Sequence, residues 1–260
     1  MGLSFLSMDH DFSKLFHQTS KNKAPEEGTT PPVPLDEKQW PDDWKTVFYK
    51  TYPRFSKIAF REITPPAADF FGLLSKRISR RDFLPTLPAK DKLAVFFHYA
   101  LGIMDLTTGR RAHPSAGARY PLDAYLVVFE GNQDIPSGVY HYAIKNQALE
   151  ILWQRSFSLE ERVVLSQNEM IKKAPALLVL TATFSRTQNK YGARGYRHLL
   201  IEAGHIGQNV YLLAEALGLA CTGIGNINED VLEELLAIDG IKESVVYTLL
   251  FGDRAHGTLS

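Results

Sequence analysis

Residues 110–130, RRAHPSAGARYPLDAYLVVFE, pass from two arginines through prolines and small residues into an apolar run. The last nine of them, LDAYLVVFE, predict a buried β-strand. Pro114, Ser115, Ala116 and Gly117 stand shortly before that strand and carry almost no side-chain bulk. Residues this small suit either a tight connection into the strand or a surface on which a flat ligand lies against bare backbone. The segment by itself supports both interpretations equally.

Apolar runs on either side of this strand outline a sheet that is bracketed by helices. Residues 138–153 predict a hairpin that turns at Lys145-Asn146-Gln147, and residues 175–184 and 244–252 predict two further buried strands. The predicted helices include residues 88–103, 191–217 and 229–238. This order of elements is typical of an α+β or mixed α/β sandwich.

The composition is that of a globular protein with no excess of either charge. Of 260 residues, 45% are hydrophobic, and 29 basic residues balance 29 acidic ones. Proteins that bind nucleic acid through its phosphates carry a basic excess, so nucleic acid is not an expected partner. The single cysteine, Cys221, excludes an internal disulfide and a thiolate zinc cluster, and no motif predicts a metal site.

The first sixty residues differ in pattern from the rest of the chain. Residues 1–20 predict a short amphipathic helix, and the proline-rich residues 21–44 predict an extended arm. We expect residues 1–60 to form this helix and arm, and residues 61–260 to form the main domain. No secretory signal is visible and no apolar run reaches the roughly 18 residues that span a membrane, so we expect a cytoplasmic protein.

The predicted helix over residues 191–217 carries small residues along one face and is expected to end at Gly218. Ala203, Gly204 and Gly207 are three or four positions apart and share that face. An interior glycine costs a helix up to about 1 kcal/mol relative to alanine. A second backbone in close approach would compensate for that cost. It belongs either to another helix of the same chain or to the same helix of a dimer partner, and these two alternatives are evenly matched.

An arginine-rich segment, KRISRRDF, follows a helix that is predicted to start at Asp69 with Phe70, Phe71, Leu73 and Leu74 on its apolar side. Arg77, Ser79 and Arg81 alternate along it, so their side chains point the same way if the segment is extended. Two guanidiniums and a hydroxyl suit a terminal phosphate, because guanidiniums offer paired donors and stay charged. The alternative interpretation is a solvated basic turn.

Two further segments carry candidate chemistry. Lys190 and Tyr191 stand at the start of the long helix and form a pair that is suited to acid–base work when partly desolvated. A solvated lysine at a helix start is the alternative. The segment CTGIGNIN contains a Gly-x-Gly, but it follows a helix instead of joining a strand to one, so a Rossmann site is excluded. The P-loop and nucleophile-elbow motifs are absent from the sequence.

Taken in order, these segments resemble the nitroreductase superfamily and, within it, the SagB-type dehydrogenases, which oxidise azolines in ribosomal peptides to azoles. The resemblance rests on RISRRDF, RRAHPSAGARYPLDAY, GVYHY, KYGARGYRHLLIEAGHIGQNVYLLAEALGL and LLFG, and it runs from about residue 60 to residue 252. It implies a three-layer α/β/α sandwich with a mostly antiparallel central sheet. It further implies a homodimer through the long helix, with FMN bound at the dimer interface.

The resemblance also implies roles for single residues. Arg77, Ser79 and Arg81 are expected at the FMN phosphate and ribityl chain. Pro114, Ser115, Ala116 and Gly117 are expected against the flavin. The residues expected to approach the ring from the partner side are Thr222, Gly223, Ile224 and Gly225. Arg254 is expected to add a phosphate contact, and Lys190 and Tyr191 to handle protons.

The sequence departs from the subgroup at two positions. Arg119 stands where a leucine is usual and Asp123 where a glutamate is usual. The arginine is expected to add positive charge near the flavin. This charge changes either the choice of substrate or only the rim of the site. The leading hypothesis is azoline dehydrogenation in a peptide. The alternatives are an NAD(P)H:acceptor oxidoreductase that acts on small molecules and a non-catalytic partner in a peptide-modifying complex.

Overall fold

The computed structural model describes residues 12–21, 36–61 and 63–255. Its strands are β1 (Lys57–Ala59), β2 (Ile103–Asp105), β3 (Arg110–Arg111), β4 (Leu122–Val128), β5 (Gly138–Ala143), β6 (Ala148–Gln154), β7 (Ala176–Thr183), β8 (Leu219–Gly223) and β9 (Glu243–Asp253). Seven of them form one sheet in the order β1-β6-β5-β4-β7-β9-β8, and β2 pairs separately with β3. All neighbouring strands are antiparallel, which confirms the predicted sheet.

The helices cover both faces of the seven-stranded sheet. They are α1 (Phe12–Thr19), α2 (Asp42–Lys45), α3 (Phe70–Lys76), α4 (Lys90–Leu101), α5 (Leu159–Leu165), α6 (Ser185–Tyr191), α7 (Arg194–Ala216) and α8 (Glu229–Leu236). Helices α4 and α7 pack into the core on one face. Helices α5 and α8 pack into the core on the other. The fold is therefore the predicted three-layer α/β/α sandwich.

Strand β4, which the opening segment enters, lies in the middle of the sheet. Its residues alternate between the two cores, with Leu126 on the α7 side and Tyr125 and Val127 on the α5 side. Burial on both faces explains its nearly continuous apolar sequence. The predicted hairpin is confirmed as β5 and β6, and Gln147 takes the left-handed conformation (φ 46°) that closes its turn.

The single helix predicted over residues 191–217 is wrong in its first part. Tyr191 ends the separate helix α6, and α7 begins only at Arg194. Gly192 interrupts the helical backbone with φ 55° and ψ −145°, a conformation that glycine adopts more easily than other residues. Gly195 then packs α7 against α6, because a Cβ there would lie 3.0 Å from Cα of Gln188. The predicted end is confirmed, since Gly218 has φ +68° directly after the helix.

Helix α3 forms as predicted, but its apolar side is not part of this chain's core. Phe70 and Phe71 are 58% and 76% exposed, and Leu74 is 45% exposed. Asp69 caps the helix by accepting a hydrogen bond from the Phe71 amide. The chain therefore presents an apolar surface just before the arginine-rich segment.

The N-terminal region is only partly extended. Helix α1 lies within the predicted amphipathic helix, whose residues 1–11 lie outside the described part of the chain, as do residues 22–35 of the predicted arm. From residue 36 the arm forms a short 3₁₀ helix, Glu37–Gln39, and then α2. It continues into β1 at the edge of the main sheet. In the described part of the chain, no helix is long and apolar enough to cross a membrane.

Candidate active site

The predicted site residues gather in two places along α7. We call the group around Glu215, with Arg77, Ser79, Arg80, Arg81 and Arg254, the arginine cluster. We call the group formed by Gly117, Lys190 and Tyr191, with Arg119 and Trp40 beside them, the Lys–Tyr cluster.

Glu215 organises the arginine cluster from the C-terminal end of α7. Arg80 donates two hydrogen bonds to its carboxylate, Nε at 2.8 Å and NH2 at 3.0 Å. Arg254 donates to the same carboxylate at 3.2 Å. Burial of Glu215 raises its pKa, but the hydrogen bonds and charges of the two arginines outweigh this and lower the pKa below its usual value. The sequence alone predicts no role for Glu215, because nothing in the helix pattern shows which arginines it meets.

The predicted convergence of Arg77, Ser79 and Arg81 stays a prediction, because Arg77 and Arg80 both contact side chains of α7. Arg80 turns toward Glu215, whereas the Arg77 guanidinium lies 5.4 Å from the centre of the Tyr211 ring and Arg81 is exposed. Arg254 Nε is buried and has no hydrogen-bond partner among the described residues. A cationic corner with an unused donor suits a phosphate.

The CTGIG segment lies beside the arginine cluster. Arg80 N–H donates to the Cys221 carbonyl at 3.0 Å, and Gly223 N–H donates to Tyr211 Oη at 2.6 Å. The side chains of Thr222 and Ile224 are buried, at 2% and 5% exposure. Gly225 is exposed, and a Cβ there would have no described atom within 4 Å. The open position next to the cluster is therefore Gly225, and a ligand would meet its backbone.

The small residues of the opening segment form a strained turn. Ser115 Oγ accepts a hydrogen bond from the Tyr120 amide at 2.8 Å. Gly117, Ala118 and Tyr120 all have positive φ, between 46° and 60°. Two of these are not glycine, and such strain is common at functional sites. Pro114 and Gly117 remain exposed. The segment is thus a tight connection with small residues at the surface, and the interpretation as a surface for a flat ligand stays a prediction.

Gly117 lies directly against the predicted catalytic pair. A Cβ at Gly117 would lie 2.5 Å from Tyr191 Oη and 3.1 Å from Lys190 Nζ. Lys190 is only 4% exposed. Burial and the charge of Arg119 lower the pKa of Lys190, while Glu37 acts in the opposite direction. Burial raises the pKa of Tyr191, against the effect of Arg119. Both groups are thus biased toward their neutral forms, which suits proton transfer.

Arg119 and Trp40 complete this cluster through contacts that the sequence alone does not predict. Trp40, from the arm, places its ring centre 3.2 Å from Lys190 Nζ. Arg119 is 2% exposed. Its guanidinium donates to the backbone carbonyls of Arg186, Asp43, Trp44 and Thr46. The expectation that Arg119 only adds charge near the flavin is therefore incomplete, because it also holds the arm.

His113 connects the opening segment to α7. Its Nε2 lies 3.4 Å from Glu202 Oε1, and its Nδ1 lies 3.3 Å from the Ala100 carbonyl. His113 and Glu202 are both almost fully buried. The turn before β4 is therefore fixed relative to both α4 and α7.

Comparisons with known proteins agree with this geometry. The model of the nitroreductase family matches residues 74–253. A nitroreductase-like protein of Methanocaldococcus jannaschii, MJ1384, is 32% identical over 166 residues, which are 64% of this chain and 83% of that protein.

Two similar proteins are named for peptide processing. The trifolitoxin-processing protein TfxB of Rhizobium leguminosarum bv. trifolii is 30% identical over 63% of this chain. The microcin B17-processing protein McbC of Escherichia coli is 30% identical over 55% of it. These matches are consistent with the SagB-type subgroup. The chain spans about half the length of both proteins, 47% of TfxB and 54% of McbC.

Solved structures share the fold. A nitroreductase-like protein from Anabaena variabilis superposes with a TM-score of 0.74 and 24% identity over 93% of this chain and 47% of that one. A chain of the Escherichia coli microcin synthetase McbBCD complex, solved with truncated pro-MccB17 bound, superposes with a TM-score of 0.62 and 22% identity. That match covers 94% of this chain and 92% of the other.

Proposed function

Because the chain belongs to the nitroreductase family, a family of oxidoreductases that generally use FMN, we propose that it binds FMN and dehydrogenates azoline rings in a peptide to azoles. The observation that carries the proposal is the contact of Gly117 with the buried Lys190 and the half-buried Tyr191. The peptide substrate is supported by the similarity to TfxB and McbC.

The arginine cluster fits the phosphate end of FMN. Arg77, Ser79, Arg81 and Arg254 would hold the phosphate and ribityl chain, and the buried Nε of Arg254 is a donor with no other described partner. Thr222, Gly223, Ile224 and Gly225 would offer the ring backbone, with Gly225 the open position. Pro114, Ser115, Ala116 and Gly117 would lie against the ring from the other side.

The proposed FMN site requires a second copy of the chain. The Lys–Tyr cluster meets α7 at His198, whose ring centre lies 5.1 Å from that of Tyr191, and the arginine cluster meets it at Tyr211. With a rise of 1.5 Å per residue, these positions are about 20 Å apart along the helix. In an antiparallel pair of α7 helices with a two-fold axis beside Gly204, His198 of one copy lies level with Tyr211 of the other.

The surface of α7 supports such a dimer. Gly204 is exposed, and a Cβ there would have no described atom within 4 Å. Next to it, Leu200 and Ile201 are 40% and 55% exposed. The exposed phenylalanines of α3 add to the apolar area. Exposed apolar side chains on a helix can mark an interaction site, so we propose a homodimer through α7.

In the proposed mechanism, bound FMN would supply the two-electron acceptor that takes a hydride from the azoline ring. The lowered pKa of Lys190 increases the share of free amine at a given pH, and this amine would remove the proton from the ring carbon. Tyr191 stays protonated because its pKa is raised, and its hydroxyl would donate a hydrogen bond that orients the substrate. Because Gly117 has no side chain, both groups can lie directly against the turn, where a Cβ would meet Tyr191 Oη at 2.5 Å.

The test is flavin binding followed by turnover of an azoline peptide. We expect purified protein to carry FMN and the Lys190→Ala and Tyr191→Phe variants to retain it, while turnover falls by about 10²- to 10⁴-fold. Loss of FMN from these variants would assign the pair a structural role. Protein that never binds FMN would refute the proposal, and binding of a leader peptide without FMN would indicate a non-catalytic partner.

A second candidate function is NAD(P)H:acceptor oxidoreduction on a small molecule, which the similarity to MJ1384 favours. Stopped-flow mixing separates the two functions. Bleaching of the flavin by NAD(P)H supports this candidate, whereas bleaching only by an azoline peptide supports the peptide oxidase.

The division at residue 60 stays a prediction. The family model begins at residue 74, so a main domain over residues 61–260 and a separate role for residues 1–60 are compatible with the match. The contacts of Trp40 and Arg119 make the arm part of the candidate site.

A further inference from the structure

The arm is attached to the Lys–Tyr cluster by one buried side chain. Arg119 Nε donates to the Arg186 carbonyl of α6 at 2.7 Å. Its two terminal nitrogens donate to the carbonyls of Asp43, Trp44 and Thr46. These carbonyls belong to the end of α2, so one guanidinium joins the arm to the helix that carries Lys190. The planar guanidinium fork of an arginine suits this role, because its several N–H donors can bind carbonyls of both segments at once.

The attached segment covers Lys190. The Trp40 ring centre lies 3.2 Å from Lys190 Nζ, which is a cation–π contact. Beside it, Asn189 Nδ2 lies 3.4 Å from Asp43 Oδ2. Gly117 occupies a different side of the amine, 3.1 Å from it measured at the Cβ position. The amine is therefore enclosed by the arm and the turn.

We propose that Arg119 and Trp40 are positioning residues. Arg119 fastens residues 40–46 of the arm across α6, and Trp40 thereby covers the Lys190 amine. The proposal rests on the proposed function, in which Lys190 is the proton acceptor.

The charges around the amine make this role measurable. The groups that act on it directly are Arg119 from the turn, Glu37 from the arm and the Tyr191 ring of its own helix. The charged and titratable groups next to these are Asp43 beside Asn189, Arg186 beside Arg119, and His198 and Arg194 of α7 beside Tyr191. Burial and Arg119 lower the pKa of Lys190, and Glu37 opposes them. Loss of the arginine charge would therefore shift Lys190 titration to higher pH, and loss of the arm would do the same because the effect of burial exceeds that of Glu37.

Three variants separate the attachment of the arm by Arg119, the positive charge of Arg119 and the coverage of the Lys190 amine by Trp40. Arg119→Met removes both charge and fork, and Arg119→Lys keeps the charge but loses the fork. Trp40→Leu removes the cover and keeps the attachment. Arg162→Met is the matched control, because Arg162 is 3% exposed but binds Glu130 instead of the arm.

Two measurements on FMN-saturated protein need no turnover. The first is limited tryptic cleavage after Lys45, which reports release of the arm. The second is competitive acetylation of Lys190 across pH, quantified by mass spectrometry against the exposed Lys173. We expect both Arg119 variants to be cleaved roughly tenfold faster, in proportion to the population of the released arm.

The acetylation midpoint of Lys190 should move to higher pH in Arg119→Met, and by less in Arg119→Lys. The acid-side limb of the pH profile of kcat/KM, on which activity rises as the Lys190 amine loses its proton, should move in the same direction. Trp40→Leu should leave cleavage unchanged and speed acetylation at every pH. Arg162→Met should change neither.

Faster cleavage with unchanged Lys190 titration would overturn the proposal and leave Arg119 a purely structural role. Unchanged cleavage in both Arg119 variants would also overturn it. If the wild-type protein shows no FMN binding or turnover, the proposed function fails. Cleavage and acetylation, which can then be followed without FMN, still decide whether Arg119 holds the arm over Lys190.

Discussion

The two ends of α7 are held by different parts of the chain. At its C-terminal end, Glu215 binds Arg80 and Arg254, and all three residues lie within residues 74–253 or directly after them. At its N-terminal end, Lys190 is covered by Trp40, which lies more than thirty residues before the region that the family model matches. The arginine cluster is thus built from the family core, whereas the Lys–Tyr cluster also uses a side chain of the arm.

This difference indicates where members of the fold can vary. The arginine cluster is fixed by two strands and a helix that also form the hydrophobic core, so changes there affect folding as well as binding. The arm is attached by hydrogen bonds from Arg119 to its backbone carbonyls, and these bonds depend little on the side chains of the arm. Its sequence can therefore change while its attachment is kept, provided that Arg119 remains.

The largest effect on stability is expected from Glu215→Ala, which disrupts the arginine cluster at the C-terminal end of α7. It leaves Arg80 and Arg254 without their shared carboxylate. Removal of one partner from a mostly buried ion pair costs about 3 kcal/mol. Urea unfolding should show this loss together with weaker FMN binding. The control Glu234→Ala, at an exposed helix position, should stay within about 0.5 kcal/mol of wild type.

Gly204→Ala tests whether the two ends meet across a dimer. In a single chain, the added methyl meets no described atom and raises the free energy of unfolding by about 1 kcal/mol through helix propensity. In the proposed dimer, the same methyl separates the two α7 helices, so we expect the dimer Kd to rise about tenfold, or 1.4 kcal/mol. Analytical ultracentrifugation measures it.

Gly207→Ala is the matched control for that experiment. A Cβ at Gly207 would overlap the Tyr247 ring of the same chain. Overpacking of roughly 2 kcal/mol exceeds the propensity gain of about 1 kcal/mol, so stability should fall by about 1 kcal/mol. The dimer Kd should not change. A stabilised Gly204→Ala protein with an unaltered Kd would contradict dimerisation through α7.

The smallest effect is expected from mild acid and is confined to the arm. Glu150 is buried, which raises its pKa. Hydrogen bonds from His141, Lys57, Thr51 and the Tyr52 amide outweigh this and lower the pKa to about 2. A carboxyl with a depressed pKa stabilises the fold above its unfolded pKa, near 4.5, and this stabilisation is lost as the pH falls toward 2.

Hydrogen exchange between pH 5 and pH 3 should therefore show residues 50–57 opening before β7 and α7 do. Glu150→Gln should already show that opening at pH 5 and lose most of the pH dependence. Simultaneous opening of the arm and α7 would contradict the independence of the two regions.

Much of the fold could be predicted from local pattern. Buried strands such as β4 and β7 have continuous apolar sequences, and glycine ends α7 where it was expected. The alternation of Arg77, Ser79 and Arg81 and the smallness of Pro114–Gly117 were also visible. The break at Gly192 was not predicted, because one glycine inside a helical pattern is compatible with both a continuous helix and a corner.

The sequence by itself determined which residue types are available: cations for a phosphate, small residues for a flat ligand, and a Lys–Tyr pair. Periodicity and composition are local properties, and these features are local. Only the tertiary structure decided that Arg119 holds the arm, 75 residues away at Trp44, and that Trp40 covers Lys190. It likewise decided that Glu215 gathers Arg80 from 135 residues away. Such contacts depend on how the sheet and helices pack, and no pattern within a short segment encodes that packing.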